Sequence, residues 1–189
     1  MYTKFFKRFL DIVLSGMAIV VLSPLLLLLA VLVRLDSKGP IFFKQKRVGK
    51  GKTHFQILKF RSMYADTPHD MPTHMLGNAQ SHITRVGKVL RVTSLDELPQ
   101  LFNIFAGQMS IVGPRPALWN QFDLIQERDK YGANDLVPGL TGYAQINGRD
   151  EIPIQQKAQL DGWYVEHMGF ITDCKIILGT VSAVFTHKG

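Results

Sequence analysis

The chain has 189 residues, with 22 Lys and Arg against 15 Asp and Glu and a formal charge of +7. That length suits one domain with a real core, and the basic balance favours anionic partners: nucleotides, nucleic acid or an anionic bilayer surface. The single cysteine, Cys174, excludes an intrachain disulfide and leaves a reducing compartment as the default.

From Ile12 to Val33 no residue is charged. A straight helix of this length covers ~33 Å, enough to span a bilayer. A cleavable signal peptide does not suit so long a run with no small-residue cleavage site after it. Two features argue against simple spanning. Pro24 removes one helix hydrogen bond in mid-run, beside Ser23, whose hydroxyl can bond the freed backbone. Basic residues flank both ends: Lys4, Lys7 and Arg8 before, Arg34, Lys38, Lys44, Lys46 and Arg47 after. Positive flanks prefer the cytoplasm. If both obey that rule, the segment enters and leaves by one face, as a re-entrant helix broken at Ser23-Pro24 does. Charge and proline alone leave spanning and re-entrance both open.

Residues 41–47 and 54–58 read as strands around a Gly- and Lys-rich turn, a β-hairpin. Residues 65–81, with Pro68, Pro72, Gly77 and Asn78, read as a loop. Residues 98–105, 118–131, 154–166 and 173–185 read as helices, the last able to pack on the core or to lie on a bilayer surface. The organisation expected is a membrane element over residues 1–36 and a cytosolic domain over residues 37–189.

Gly51-Lys52-Thr53 imitates the end of a P-loop, but Lys46 stands where that motif needs glycine. His69, His74 and His82 have no zinc-like spacing and read as solvated loop residues. Ser94-Leu95-Asp96-Glu97 has the spacing of a capping box just before Pro99. Two carboxylates at a positive helix end are stabilising without any further role; the same geometry also suits an ionised nucleophile or metal ligand. Arg85, Lys88 and Arg91 precede the pair, and Gly113-Pro114-Arg115-Pro116 follows it. A guanidinium between two prolines is presented on a stiff turn, suited to bidentate phosphate binding. The stretch from Pro138 to Arg149 mixes glycine turns with polar residues. Together these point to a diphosphate site with a divalent cation. No nucleic-acid-binding module or long basic helix is present, which argues against nucleic acid.

The ordered set resembles the small monotopic phosphoglycosyl transferases, the bacterial sugar-transferase family. It comprises the lead-in from Lys4 to Asp11, Ser23-Pro24, Phe43-x-Gln45-x-Arg47-x-Gly49, Lys59-Phe60-Arg61-Ser62-Met63, Ile83-Thr84-Arg85-Val86-Gly87 and Arg91. It continues through Ser94-Leu95-Asp96-Glu97-Leu98-Pro99-Gln100, Val112-Gly113-Pro114-Arg115-Pro116, Pro138-Gly139-Leu140-Thr141-Gly142 and Asn147-Gly148-Arg149. The finer likeness is to the subset handling bacillosamine-type UDP-sugars.

The resemblance implies an α+β, mostly helical fold: a re-entrant membrane helix broken at Ser23-Pro24, a small β-hairpin and a compact cytosolic domain with interfacial helices. It implies a monotopic protein of the bacterial inner membrane facing the cytoplasm, in contact with phospholipid and compatible with a homodimer. The implied reaction moves a sugar-1-phosphate, of an N-acetylated hexosamine derivative, from a UDP-sugar to undecaprenyl phosphate. Asp96 would attack the sugar-bearing phosphate, release UMP and carry a covalent phospho-sugar. Mg²⁺ would offset diphosphate charge with Asp96 as its protein ligand, and Glu97 would act as ligand or proton acceptor. Arg91 and Arg115 are the implied phosphate clamps, Lys59, Arg61 and Arg149 further nucleotide or phosphate contacts, and Lys7 and Arg8 lipid-headgroup contacts. Tyr143 stands where the family commonly has Trp, Gln108 where Asp is common, and Gln80-Ser81-His82 where charged residues are common; these bear on sugar choice. A nucleotide-sugar hydrolase and a non-catalytic membrane adaptor are the competing readings.

Overall fold

The uncharged run folds as one helix, α1 (Lys7–Asp36), entered through a π-helical turn at Tyr2–Phe6. The computed structural model describes residues 2–68, 79–148 and 152–186. The break expected at Ser23-Pro24 does not interrupt α1, which runs through Pro24 as a single helix. Pro24 has no N–H to give the carbonyl of Val20, one turn back. The Ser23 hydroxyl donates to that carbonyl instead, at 2.8 Å.

One stripe of α1 faces the rest of the chain at helical spacing. Ala18, Ile19 and Leu22 pack on the Phe55, Ile57, Leu101, Ile104 and Met109 cluster. Leu25, Leu26, Leu29, Ala30 and Val33 belong with Phe60 and Leu90. Both sides of the proline therefore help build the core. The opposite face stays apolar and bare, with Val20 73%, Val21 75% and Leu27 69% exposed. Among the described residues α1 is the one helix long and apolar enough to cross a membrane.

Both ends of α1 are tied to the same body. At its start, Arg8 donates to the carbonyls of Ile104 and Phe105, at 2.6 and 2.8 Å. Asp11 accepts from the backbone N–H of Ile111 at 2.9 Å. Lys7 makes a 2.6 Å ion pair with Asp173, which also accepts the hydroxyls of Tyr2 and Tyr164. At its end, Asp36 accepts from the N–H of Val86 at 3.0 Å, and Arg61 donates to the carbonyls of Val33, Ser37, Lys38 and Pro40.

Three residues expected to meet lipid or phosphate bond within the chain. Lys7 and Arg8, expected at lipid headgroups, are engaged by Asp173 and by backbone carbonyls. Lys7 is nearly buried against Asp173, and Arg8 satisfies carbonyls at the end of the helix holding Phe105, where a cation suits the helix dipole. Arg61, expected at phosphate, is buried, and its guanidinium closes off the end of α1.

The hairpin is present as β1 (Phe42–Val48) and β2 (His54–Phe60), antiparallel with Gln45 opposite Ile57. Strand alternation buries Gln45, Phe55 and Ile57 and leaves Lys44, Lys46 and Gln56 in solvent. Lys59 shares the inward face with Ile57, so β2 delivers its ammonium to the interior. Helix α2 (Arg85–Val92) was not foreseen; Thr84 caps it by accepting from the N–H of Gly87 at 3.0 Å. Gly87 lies so close to the Ser62 backbone that no Cβ fits, which explains glycine inside a helix.

Helix α3 (Gln100–Phe105) is stitched to β2 by Asn103, which accepts from the N–H of Leu58 at 2.9 Å and donates to the carbonyl of Gln56 at 2.8 Å. Short strands β3 (Ser110–Val112) and β4 (Gly139–Thr141) pair in parallel, with α4 (Phe122–Asp129) between them in sequence. Helices α5 (Tyr143–Ile146), α6 (Ile154–His167) and α7 (Phe170–Thr186) complete an α+β, mostly helical fold. Helix α7 buries Ile176 against Tyr164 and Val112 while Phe170, Ile171, Leu178 and Val181 stay exposed.

Arg61→Ala should strand several carbonyls at the end of α1. The expected loss is about 3 kcal/mol, read as a Tm drop of about 6–12 °C in a thermal scan of the detergent-solubilised chain.

Candidate active site

Asp96 and Glu97 lie in one 3₁₀ turn, Leu95–Glu97, between α2 and α3. The capping box is not formed. Ser94 has φ +57°, in the left-handed region, and its side chain caps nothing. Helix α3 begins only at Gln100, behind Pro99. A left-handed residue that is not glycine is strained by about 1–2 kcal/mol, and here it turns the chain sharply out of α2 into the acidic pair.

The released Glu97 carboxylate meets two cations. Its Oε1 accepts from Lys59 at 2.7 Å and from Arg115 at 3.1 Å. Burial alone would raise its pKa, but Arg115 and Lys59 together hold it well below the usual carboxylate range. Asp96 has the opposite setting. Burial pushes its pKa up and the charge of Glu97 adds to that, while Lys59 and Arg91 only partly oppose. Neighbouring carboxylates with environments that push their pKa values apart are a common basis for dividing chemical roles.

Arg115 comes from a loop fixed by backbone contact. A Cβ on Gly113, Gly139 or Gly142 would collide with backbone atoms across the β3–β4 junction. Gly113 donates its N–H to Thr141 at 2.8 Å, and Gly139 donates to Pro114 at 2.9 Å. Arg128 donates to the carbonyl of Arg115 at 2.9 Å and Arg47 to that of Pro116 at 3.0 Å. Val48 N–H reaches Ala117 O at 3.0 Å.

The structure thus brings Asp96, Glu97, Lys59, Arg91 and Arg115 together. Arg61, Lys7 and Arg8 are engaged elsewhere, as above, and Arg149, His69 and His74 lie outside the described residues. Arg128, Asp161 and Arg47 support the site and had no functional assignment from sequence. Arg128 looked like one more charge on a polar helix, and its partner Asp161 is 33 residues away. The only hint was an acidic residue between Leu160 and Gly162.

Among the described residues no three His, Cys, Asp or Glu side chains cluster in a way that could hold a metal. Protein-only coordination is therefore not offered. Mg²⁺ is commonly held by one or two carboxylates with substrate phosphates supplying the rest. Asp96 fits that donor set, with Glu97 Oε2 as a second oxygen, since both Glu97 ion pairs use Oε1.

The model of the bacterial sugar transferase family matches residues 2–187. The chain is 37% identical over 183 residues to the uncharacterized sugar transferase EpsL of Bacillus subtilis, covering 97% of this chain and 89% of that one. It is 40% identical to a UDP-glucose:undecaprenyl-phosphate glucose-1-phosphate transferase of Caulobacter vibrioides, covering 95% and 70%. It is 38% identical to a UDP-N-acetylgalactosamine-undecaprenyl-phosphate N-acetylgalactosaminephosphotransferase of Aeromonas hydrophila, covering 98% of this chain but 45% of that one.

The two carboxylates should affect stability in opposite directions. With its pKa raised, folded Asp96 contributes most below the ordinary carboxylate pKa, and that contribution is lost as pH rises through the folded pKa. Asp96→Asn should therefore raise Tm at pH 7 by about 2–4 °C, roughly 1 kcal/mol, with the gain vanishing below about pH 4. Glu97, with its pKa lowered, contributes above the ordinary carboxylate pKa and loses this only in acid. Glu97→Gln leaves Lys59 and Arg115 without their anion and should cost about 2 kcal/mol at pH 7. Thermal scans of both variants between about pH 3.5 and 7.5 check the two signs.

Proposed function

We propose that this chain, which belongs to the bacterial sugar transferase family, transfers a sugar-1-phosphate from a UDP-sugar to undecaprenyl phosphate. The observation that carries the proposal is the adjacent carboxylate pair facing Lys59, Arg91 and Arg115, with the two carboxylates electrostatically unalike. The named relatives from Caulobacter and Aeromonas, which act on undecaprenyl phosphate with different sugars, support the donor and acceptor classes. An N-acetylated hexosamine is our choice of sugar, following the Aeromonas relative.

In the proposed mechanism an Asp96 carboxylate oxygen attacks the phosphorus that bears the sugar. The bond from that phosphorus to the bridging oxygen breaks, and UMP leaves with the electron pair. An aspartyl phospho-sugar remains. An oxygen of undecaprenyl phosphate then attacks the same phosphorus and expels the Asp96 carboxylate, giving a diphosphate-linked sugar. No proton need be taken from either nucleophile, since both react as anions. Desolvation of Asp96 favours this role, because a poorly hydrated carboxylate has little water to shed before attack. Glu97 remains ionised and holds Lys59 and Arg115 at the site. Arg115 and Arg91 face the diphosphate, and Arg115 is held so that it need not reorganise. Mg²⁺, bound through Asp96 and the substrate phosphates, would supply charge neutralisation on the diphosphate.

The same structure supports a membrane placement. The bare apolar face of α1 and the exposed apolar residues of α7 suit a lipid surface. Ties from both ends of α1 to one body support entry and exit by the same face, and basic flanks support the cytoplasmic face of the inner membrane.

Purified chain, Mg²⁺ and a panel of UDP-sugars should release UMP continuously only when undecaprenyl phosphate is present. Without acceptor, the expected signal is a burst of at most one UMP per chain. Asp96→Asn should lose about 10³-fold or more of turnover. Release of UDP would overturn the mechanism, acceptor-independent turnover would establish a hydrolase, and full function in Asp96→Asn would establish an adaptor.

A further inference from the structure

Arg128 and Asp161 are 3% and 1% exposed. The guanidinium donates from Nε and Nη2 to Asp161 Oδ2, at 2.8 and 2.6 Å. Its remaining arm, Nη1, donates to the backbone carbonyl of Arg115 at 2.9 Å. One buried fork therefore joins α4, α6 and the loop that presents Arg115.

We propose that Arg128 and Asp161 form a positioning pair that sets the backbone of Arg115 and so aims its guanidinium at the substrate diphosphate. The proposal rests on Arg115 being a phosphate-binding residue. Prolines 114 and 116 fix their own φ and have no N–H to anchor the loop. Arg115, preceding a proline, is restricted to extended backbone. That leaves its ψ a narrow range, and the direction of its carbonyl records where in that range it sits. Arg128 holds that carbonyl, while Gly139 and Arg47 hold those on either side. Asp161 orients Arg128 and neutralises it away from water.

Stability alone does not account for the pair. A buried ion pair is often replaced by apolar residues of similar volume with little loss, whereas removing one partner is costly. What apolar residues cannot supply is the bond to Arg115. A displacement of about 1 Å at a positioning group is enough to cost about 10²-fold in a site of this kind.

The test uses the full chain in detergent and UDP as the probe, since its diphosphate needs no knowledge of the sugar. Binding is followed by calorimetry and folding by Tm, in Arg128→Met/Asp161→Leu, in Arg115→Ala and in the three changes combined. Arg115→Ala should weaken UDP binding by about 10–100-fold. Arg128→Met/Asp161→Leu should keep Tm within about 5 °C yet weaken UDP binding by about 10-fold. In the Arg115→Ala background the same pair should change binding by less than about 2-fold, the non-additivity of groups acting through one another. Equal losses in both backgrounds, or unchanged binding with the apolar pair, would overturn the positioning role and leave the Arg115 reading standing. Unchanged binding in Arg115→Ala would overturn both. Should the apolar pair fail to fold, Arg128→Lys gives the second reading: one ammonium can meet Asp161 or the Arg115 carbonyl but cannot fork to both. About a 5-fold loss at unchanged Tm supports the proposal, and wild-type binding overturns it.

Discussion

An apolar helix whose two ends are tied to one body constrains everything else in this chain. Helix α1 has a bare face that water does not suit and a packed face that supplies two of the core clusters. Lys7, Arg8 and Asp11 hold one end, and Asp36 and Arg61 hold the other. The helix therefore cannot be a tether that leaves the rest free to drift from the bilayer. Leu95 and Leu98, flanking Asp96 and Glu97, pack in the same cluster as Leu29 and Val33 of α1. The acidic turn is thus braced by the membrane-seeking element, next to exposed Val92 and Phe102.

The same ties explain why several charged residues sit in settings that the sequence did not display. A sequence displays the sign of a charge but not its direction. The partners of Lys7, Arg8 and Arg61 are brought in by tertiary contact, 166 residues away for Lys7 and about a hundred for Arg8. Arg61 looked like a phosphate ligand because it lies two residues from Lys59, yet β2 ends at Phe60, so Arg61 leaves the strand register and turns to Ser37 while Lys59 reaches Glu97. By contrast the hairpin, α3, α4, α6 and α7 were legible, because their apolar spacing persists over a whole element. Helix α2 was hidden by Gly87 and by three basic residues that read as a patch, and its glycine makes sense only beside the Ser62 backbone. Strands β3 and β4 are too short to show any period.

From sequence Asp96 and Glu97 were expected to take different tasks, but not to sit in opposite electrostatic settings. A capping box would have folded Glu97 back onto the N–H of Ser94. Left-handed Ser94 removes that arrangement and turns Glu97 toward Lys59 and Arg115, leaving Asp96 with weaker support. The electrostatic contrast is therefore built into one strained residue and two cations. Under the proposed mechanism it would also give a physical reason for adjacency: Glu97 takes the nearby positive charge, so less of it remains to quench Asp96.

Rigidity on the other side of the site comes from covalent and packing constraints acting in series. Glycines 113, 139 and 142 let two backbone segments touch where any side chain would part them. Prolines then limit the dihedral freedom of the segment leaving that contact, and Arg128 and Arg47 hold the carbonyls that the prolines leave unanchored. The glycine and proline positions were visible in the sequence because they act locally. The arginine clamps were not, since their role appears only when β1, α4 and α6 meet at the loop. The candidate site divides its information accordingly: Asp96, Glu97 and Arg115 sit in compact motifs, while the groups that hold their surroundings are scattered through elements that look ordinary.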